Sequence, residues 1–192
     1  ALTGEGFRHL RGLKLLRELF LDRDRHLRAD SFALLASLSQ LETLGLAGNR
    51  LRHLDPGIGR LQQLQKLDLS ANLLRTLPDE LAQCARLTHL NLSANQLHTV
   101  PPCLTRLTQL HVLDLRTNGL ESAVLLGALT ELEELLLDDN ALAEIPAVVR
   151  LLPRLRVLSA RANPLQAPPP AAKVGRGIDE GKTTNRGFGF IE

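Results

Sequence analysis

Three acidic residues in the second half of the chain are the first candidates for chemistry. Asp114, Asp138 and Asp139 occupy similar places in successive Leu-rich segments, and carboxylates on neighbouring segments could share a proton or a divalent ion. Arg116 and Arg161 flank them in the same pattern, so ion pairing explains these carboxylates more simply. Because no His, Cys or Gly-rich loop converges with them, we expect neither a catalytic nor a metal-binding role.

The two cysteines and the central histidines are the other reactive side chains. Cys84 and Cys103 form neither a CxxC pair nor a His-associated zinc spacing, so we expect free thiols and a reducing compartment. Cys84 stands where other segments carry Leu, which predicts a small buried side chain; for Cys103 both interpretations stay open. His89 and His111 lie one segment apart without a third ligand, which is a weak zinc signal.

Nucleotide cofactors find no support in the sequence. Gly181-Lys182-Thr183 is similar to the end of a phosphate-binding loop, but that motif requires its first Gly at position 176, which is Arg. No strand-loop-helix context surrounds these residues. We therefore predict a protein that needs no cofactor.

A repeated motif must position all of these side chains. The pattern LxxLxLxxNxL occurs six times with steps of 22 or 23 residues, and a degenerate copy precedes them at Leu16, with Asp24 in place of Asn. Hydrophobic residues make up 44% of the chain and aromatic residues only 3%, so the repeats are built almost entirely of aliphatic side chains. The six regular copies start at Leu41, Leu64, Leu87, Leu110, Leu132 and Leu155.

Each part of the motif has a physical interpretation. The LxL alternation predicts a short strand with one buried face, and strands of successive copies should stack as a parallel sheet. The Asn that follows can satisfy backbone groups left unpaired where the chain turns. A Pro then begins a return segment with apolar residues three and six positions before the next strand, as in Ile58 and Leu61. This spacing predicts a short helical or 3₁₀ back wall.

These segments resemble the leucine-rich repeat family, in its typical intracellular form with repeats of about 23 residues. The resemblance implies an α/β repeat fold: a right-handed horseshoe solenoid with a parallel sheet on its concave face, which is the usual binding surface. It also implies a cytoplasmic protein without enzymatic activity. We divide the chain into an N-terminal helical cap (1–15), about seven repeats (16–168) and a proline-rich break with a C-terminal tail (169–192).

The repeat register predicts which side chains form the concave face. Its early strands carry small or polar residues, whereas its last three combine aliphatic residues with charges. An apolar centre with a charged rim is typical of a protein interface, although scattered aliphatic residues are also ordinary on any surface. The predicted partner-binding residues are Val112, Asp114, Arg116, Glu134, Leu136, Asp138, Val157 and Arg161.

The C-terminal tail differs in composition from the repeats. Residues 173–192, ending in Gly187-Phe188-Gly189-Phe190-Ile191, resemble the first two strands of a cold-shock domain, which stacks nucleic-acid bases on aromatic rings. The resemblance departs at Gly175-Arg176-Gly177, where aromatic residues are expected, and the other strands of that fold are missing. We expect the tail to cover the end of the solenoid or to stay disordered. The alternative is that the repeats are the interaction arm of a nucleic-acid-binding protein whose tail contacts single-stranded RNA or DNA.

Charge and hydropathy limit the remaining partners. The 23 basic and 21 acidic residues are interspersed, so nothing favours nucleic acid for the repeats. No uncharged apolar run approaches the roughly 20 residues that span a bilayer. We therefore expect a monomeric scaffold or adaptor that binds a protein and does not bind a membrane.

Overall fold

Seven short parallel strands form one sheet in sequence order. The computed structural model describes residue 10, residues 12–24 and residues 35–166. Each strand contains the second Leu of one motif copy, and the degenerate copy that starts at Leu16 forms the first strand, as predicted. The strands are β1 (Glu18–Phe20), β2 (Thr43–Gly45), β3 (Lys66–Asp68), β4 (His89–Asn91), β5 (Val112–Asp114), β6 (Glu134–Leu136) and β7 (Val157–Ser159).

The strands pair in register, so that equivalent residues of successive repeats lie side by side. Leu44 pairs with Leu67, Leu67 with Leu90 and Leu90 with Leu113, and all four are fully buried. Burial of one such side chain is worth about 1.5–3 kcal/mol. Since each residue packs on its own equivalent, similar aliphatic shapes fill the core, which accounts for the scarcity of aromatic residues.

A wall of short helical segments closes each repeat on the side opposite the sheet. Pro56 and Pro102 begin two of these segments, and Pro78 and Pro146 immediately precede two others. The predicted helical or 3₁₀ back wall is thereby confirmed. The segments are the 3₁₀ helices η1 (Pro56–Arg60), η2 (Asp79–Gln83), η3 (Pro102–Arg106) and η4 (Val124–Ala128), and the α-helix Ala147–Arg150.

An asparagine ladder joins each repeat to the one before it. The Nδ2 amide of Asn95 donates to the carbonyl of Leu69 in the preceding repeat and to that of Leu92 in its own, at 2.9 and 3.0 Å. Its Oδ1 accepts the backbone N–H of Leu74 at 3.0 Å. The same inter-repeat donation recurs at Asn49, Asn72, Asn118, Asn140 and Asn163. The predicted structural role of these residues is confirmed.

The residue before each ladder position adopts a left-handed backbone. Ala71, Ala94 and Ala162 have φ between 52° and 53°, a region that residues with a Cβ enter at a cost. Gly48 supplies the same geometry in the β2 repeat with φ of 69°. The motif predicted a turn here. It did not predict that residues other than glycine would adopt the left-handed conformation.

Both predicted end modules fall mainly outside the described residues. The helical cap assigned to residues 1–15 is described only at residue 10 and from residue 12 onward, and the tail from residue 169 is not described at all. Leu10 packs against the core, whereas Leu13 and Leu15 are exposed. Within the described ranges, no helix is long and apolar enough to cross a membrane.

Candidate functional site

The concave face consists of the side chains that flank the buried Leu of each strand, together with the residue two positions after the strand. Most of its first column is accessible: Lys66 is exposed, Val112, Glu134 and Val157 are half-buried, and Thr43 is buried. Most of its central column is buried, apart from the exposed Phe20 and the half-buried Ser159. Asp114 has no exposed surface and Leu136 retains only 8%. Sequence reasoning placed both on the open face, but the structure buries them, and Arg116 of the same repeat lies against Asp114.

A second set of hydrogen bonds explains why the central column is polar and buried. Asp68 Oδ1 accepts the backbone N–H of Ser70 at 2.8 Å, two residues further along. Asn91 makes the same bond to Ser93 at 3.0 Å and also accepts the Ser93 hydroxyl proton at 2.8 Å. These side chains thus satisfy the N–H that each strand leaves unpaired at its end.

On two other rungs a carboxylate of the preceding repeat accepts this backbone N–H instead. Gly45 has no side chain, and Asp22 Oδ1 accepts the N–H of Ala47 at 2.7 Å. Asp138 Oδ1 accepts both the N–H of Arg161 and the Ser159 hydroxyl proton at 2.6 Å. The acidic residues of the face therefore have structural hydrogen-bonding roles.

The Arg116 guanidinium is held on this face by the carboxylate of Asp114. Its Nε lies 3.0 and 3.1 Å from the two carboxylate oxygens of Asp114, and its Nη2 lies 2.6 Å from Asp114 Oδ2. These hydrogen bonds raise the pKa of Arg116, burial opposes them, and the negative charges of Asp114, Asp138 and Glu134 raise it further. Because Asp114 is buried and Arg116 is partly exposed, the pair presents a fixed cation to solvent.

The three acidic residues first considered for chemistry do not form one site. Asp114 is neutralised by Arg116 and Asp138 is bound by Ser159 and the Arg161 backbone. Asp139 lies in an exposed left-handed turn beside the sheet. The predicted ion pairing is found at Arg116. At Arg161 the contact with Asp138 is a hydrogen bond from the backbone N–H. Among the described residues, no group of three His, Cys, Asp or Glu could hold a metal ion.

The histidines and cysteines occupy different environments. Burial lowers the pKa of His89, and the nearby Lys66 and His111 lower it further. Both thiols are buried and free, and burial raises the pKa of Cys84 and of Cys103 to about 11, with Asp79 adding to the effect at Cys103. The prediction for Cys84 is confirmed, and Cys103, left open by the sequence, is also buried on the back wall.

The aliphatic members of the predicted interface lie on three adjacent strands. Val112 pairs with Glu134, and Glu134 with Val157, while Leu136 lies between Asp114 and Ser159. Val112 and Val157 are thus separated by one charged side chain. The buried Leu136 lies in the neighbouring column. The structure brings seven of the eight predicted residues to one patch of strand and turn; Arg161 lies at its exposed rim.

Cross-repeat ion pairs border this patch and were missed from the sequence. Arg156 lies 3.4 Å from Glu133, and Arg154 pairs with Glu131. Both pairs are separated by 23 residues, which equals the repeat step. Opposite charges at that spacing were the signal that could have revealed them.

Comparison with known proteins identifies the fold. A protein-family profile described as leucine rich repeat matches residues 39–97. A leucine-rich repeat protein from Leptospira interrogans superimposes with a TM-score of 0.73 at 30% identity, over 84% of this chain and 47% of that one. The chain has the leucine-rich repeat fold. Comparison with curated protein sequences gives no match.

Two further solved structures resemble this chain. Internalin C2 from Listeria monocytogenes aligns with a TM-score of 0.69 and 25% identity, over 77% of this chain and 62% of its own. The repeat ectodomain of a plant membrane receptor kinase from Arabidopsis thaliana, solved in complex with Casparian strip integrity factor 2, aligns with a TM-score of 0.67 and 32% identity. That alignment covers 83% of this chain and 20% of the receptor ectodomain. The chain therefore spans less than two thirds of each.

Proposed function

We propose that this leucine-rich repeat protein is a scaffold or adaptor that binds a partner protein on the concave face of β5, β6 and β7. The observation that carries the proposal is the Asp114–Arg116 pair. A buried carboxylate holds the guanidinium by three hydrogen bonds, so little side-chain freedom remains to be lost when a partner binds. Arginine fixed in this way is a common centre of binding energy in protein interfaces.

The surroundings of Arg116 fit a protein partner better than a small molecule. Val112 and Val157 supply half-exposed aliphatic surface, and Glu134 and Asp138 supply acceptors beside it. This mixture matches the apolar centre and polar rim of a protein interface. The Arabidopsis ectodomain in complex with an integrity factor supports partner binding by a similar array of repeats.

The test compares binding by variants of single concave residues. We expect Val157→Asp to weaken binding of a partner isolated from the source cells about tenfold or more, because a charge would then lie in the apolar part of the interface. Lys66→Ala, on β3 of the same face, should leave binding unchanged. Leu136→Asp is not suitable, because Leu136 is 8% exposed and burial of a charge there would unfold the protein.

Arg116 requires a double substitution. Arg116→Ala alone would leave the buried Asp114 carboxylate without its cation, which is strongly destabilising. Asn91 occupies the position equivalent to Asp114 and makes the same bond to the backbone N–H two residues on. Asp114→Asn combined with Arg116→Ala should therefore fold and bind weakly. Two results together would contradict the proposal. The first is full binding by this variant and by Val157→Asp; the second is loss of binding by variants of the back wall, such as Arg106→Ala.

We also propose that the protein is monomeric and cytoplasmic. Two free thiols buried in the back wall are compatible with a reducing compartment. Cell fractionation tests the cytoplasmic location, and light scattering tests the monomeric state.

A further inference from the structure

Four aliphatic side chains are exposed on the back wall, outside the proposed binding face. Val124 and Leu125 belong to η4, Val148 belongs to the α-helix, and Leu151 follows it; their exposed fractions are 54%, 41%, 46% and 69%. The two segments pack closely, because a Cβ at Gly127 would lie 2.9 Å from Val148 Cβ. We call these four residues the convex patch.

The patch marks a change in the chemistry of the wall. The last residue of η1, η2 and η3 is polar: Arg60, Gln83 and Arg106. The equivalent residue of η4 is Ala128, and one repeat later it is Leu151. Exposed clusters of large aliphatic residues are unusual on a protein without a partner for them, so the last two segments are suited to being covered.

The path of the chain indicates what covers them. The backbone N–H of Gln166 donates to the carbonyl of Ala143 at 2.8 Å, so the chain passes beside the residues that lead into the α-helix. Pro169 follows Pro146 by 23 residues, the same step that separates Pro78 from Pro101. Those prolines precede segments of the back wall, so a further segment in the same register would lie beside Val148 and Leu151.

The segment that follows has apolar residues to match. Residues 170–192 contain two of the five Phe of the chain, in the alternating run Gly187-Phe188-Gly189-Phe190-Ile191. In extended backbone, Phe188 and Phe190 face the same way. The 22 residues from Gln166 to Phe188 can span up to about 70 Å, so reach does not limit the contact.

We propose that residues 170–192 bind the convex patch of the same chain, with Phe188, Phe190 and Ile191 against the four aliphatic side chains. The contact is independent of the proposed concave interface and leaves that face open. It also buries the two aromatic rings, so the tail cannot stack on nucleic acid while it is bound.

Cross-linking of the full chain tests this contact. The native thiols are buried with pKa values near 11, so a short bismaleimide should react with introduced cysteines alone. Leu151→Cys with Phe188→Cys should give an intramolecular cross-link of monomer mass. Arg106→Cys with Phe188→Cys is the matched control, because Arg106 holds the equivalent position on η3, and it should give at least fivefold less product.

Each alternative occupant predicts a different result. Cross-links between chains in place of those within a chain would show that a second copy covers the patch, and would overturn the proposal. Equal yields for Leu151 and Arg106, or no product for either, would mean that the tail does not bind there. Binding of a single-stranded RNA that is lost on Phe188→Ala, without the Leu151 cross-link, would assign the rings to nucleic acid instead.

Discussion

A single polar side chain per repeat determines whether the turn after each strand is satisfied. The Nδ2 of Asn95 donates to three carbonyls, and its Oδ1 accepts the backbone N–H of Leu74. These bonds join its own repeat to the preceding one. An amide suits this position because it can donate and accept at once.

Asn95→Ala should therefore lower the free energy of unfolding by about 1–3 kcal/mol, because the buried backbone groups lose their partner. Chemical denaturation measures the loss. Thr99→Ala, at an exposed position of the same repeat, is the control and should change stability little. An unchanged midpoint for Asn95→Ala would reject the ladder as a source of stability.

Asp68 offers a pH-dependent test at the same scale. Burial raises its pKa above 3.8, and the negative charge of Asp22 adds to this, although hydrogen bonds from Ser70 and Asn91 oppose the shift. An acid whose folded pKa is raised destabilises the fold above that pKa, and the penalty disappears as the pH falls towards 3.8. Asp68→Asn, which mimics Asn91, should be more stable than the parent at neutral pH.

The stability advantage of Asp68→Asn should then shrink on acidification through the raised pKa, as followed by thermal denaturation at several pH values. Asn91→Asp is the reciprocal variant and should be less stable at neutral pH. An advantage for Asp68→Asn that grows as the pH falls would contradict this account.

At the scale of elements, the back wall is limited by how closely successive return segments approach. A Cβ at Gly59 of η1 would lie 2.5 Å from the backbone carbonyl oxygen of Glu80 in η2. Backbone atoms cannot move aside as a flexible side chain does, so glycine is required at this contact. The equivalent position of η2 holds Ala82, so not every pair of segments requires glycine there.

Gly59→Ala should consequently destabilise the protein by about 1–3 kcal/mol through overpacking of η1 against η2. Gly12→Ala is the control, because no atom lies within 4 Å of its added Cβ. The denaturation midpoints of both variants give the comparison. If the two variants are equally stable, η1 and η2 can move apart without lowering the free energy of unfolding.

At the scale of the molecule, the stack has two ends, and the last described repeat is less buried than those before it. Leu155 and Leu158 are only partly buried, and Leu165 is exposed. A terminal repeat has no neighbour to cover its core or pair with its edge. We expect deletion of residues 171–192 to lower the melting temperature or promote association, because this surface and the convex patch both become accessible.

Binding on the concave face should survive that deletion, since Val112, Arg116 and Val157 lie on the opposite side of the repeats from the patch. Differential scanning calorimetry, light scattering and partner titration of the shortened chain check the three expectations. An unchanged melting temperature together with loss of binding to single-stranded nucleic acid would instead support the cold-shock resemblance of the tail.

Repetition is the reason the sequence alone predicted the architecture. One rule with a period of 22 or 23 residues places Leu, Asn and, in most copies, Pro in the same environment, so strand order, register, the ladder and the back wall all followed from local pattern. The candidate site was predicted as a set of columns for the same reason, and Val112, Glu134 and Val157 do lie side by side on adjacent strands.

Side-chain contacts within and between repeats decided the rest. Whether Asp114 is exposed depends on how Arg116 of the same repeat folds over it, and whether Asp138 is a free carboxylate depends on Ser159 in the next strand. The left-handed turns at Ala71 and Ala94 and the exposure of Leu151 likewise depend on three-dimensional packing. These properties depend on which side chains come into contact in the folded stack, and a sequence pattern places residues in columns without fixing which side chain covers which.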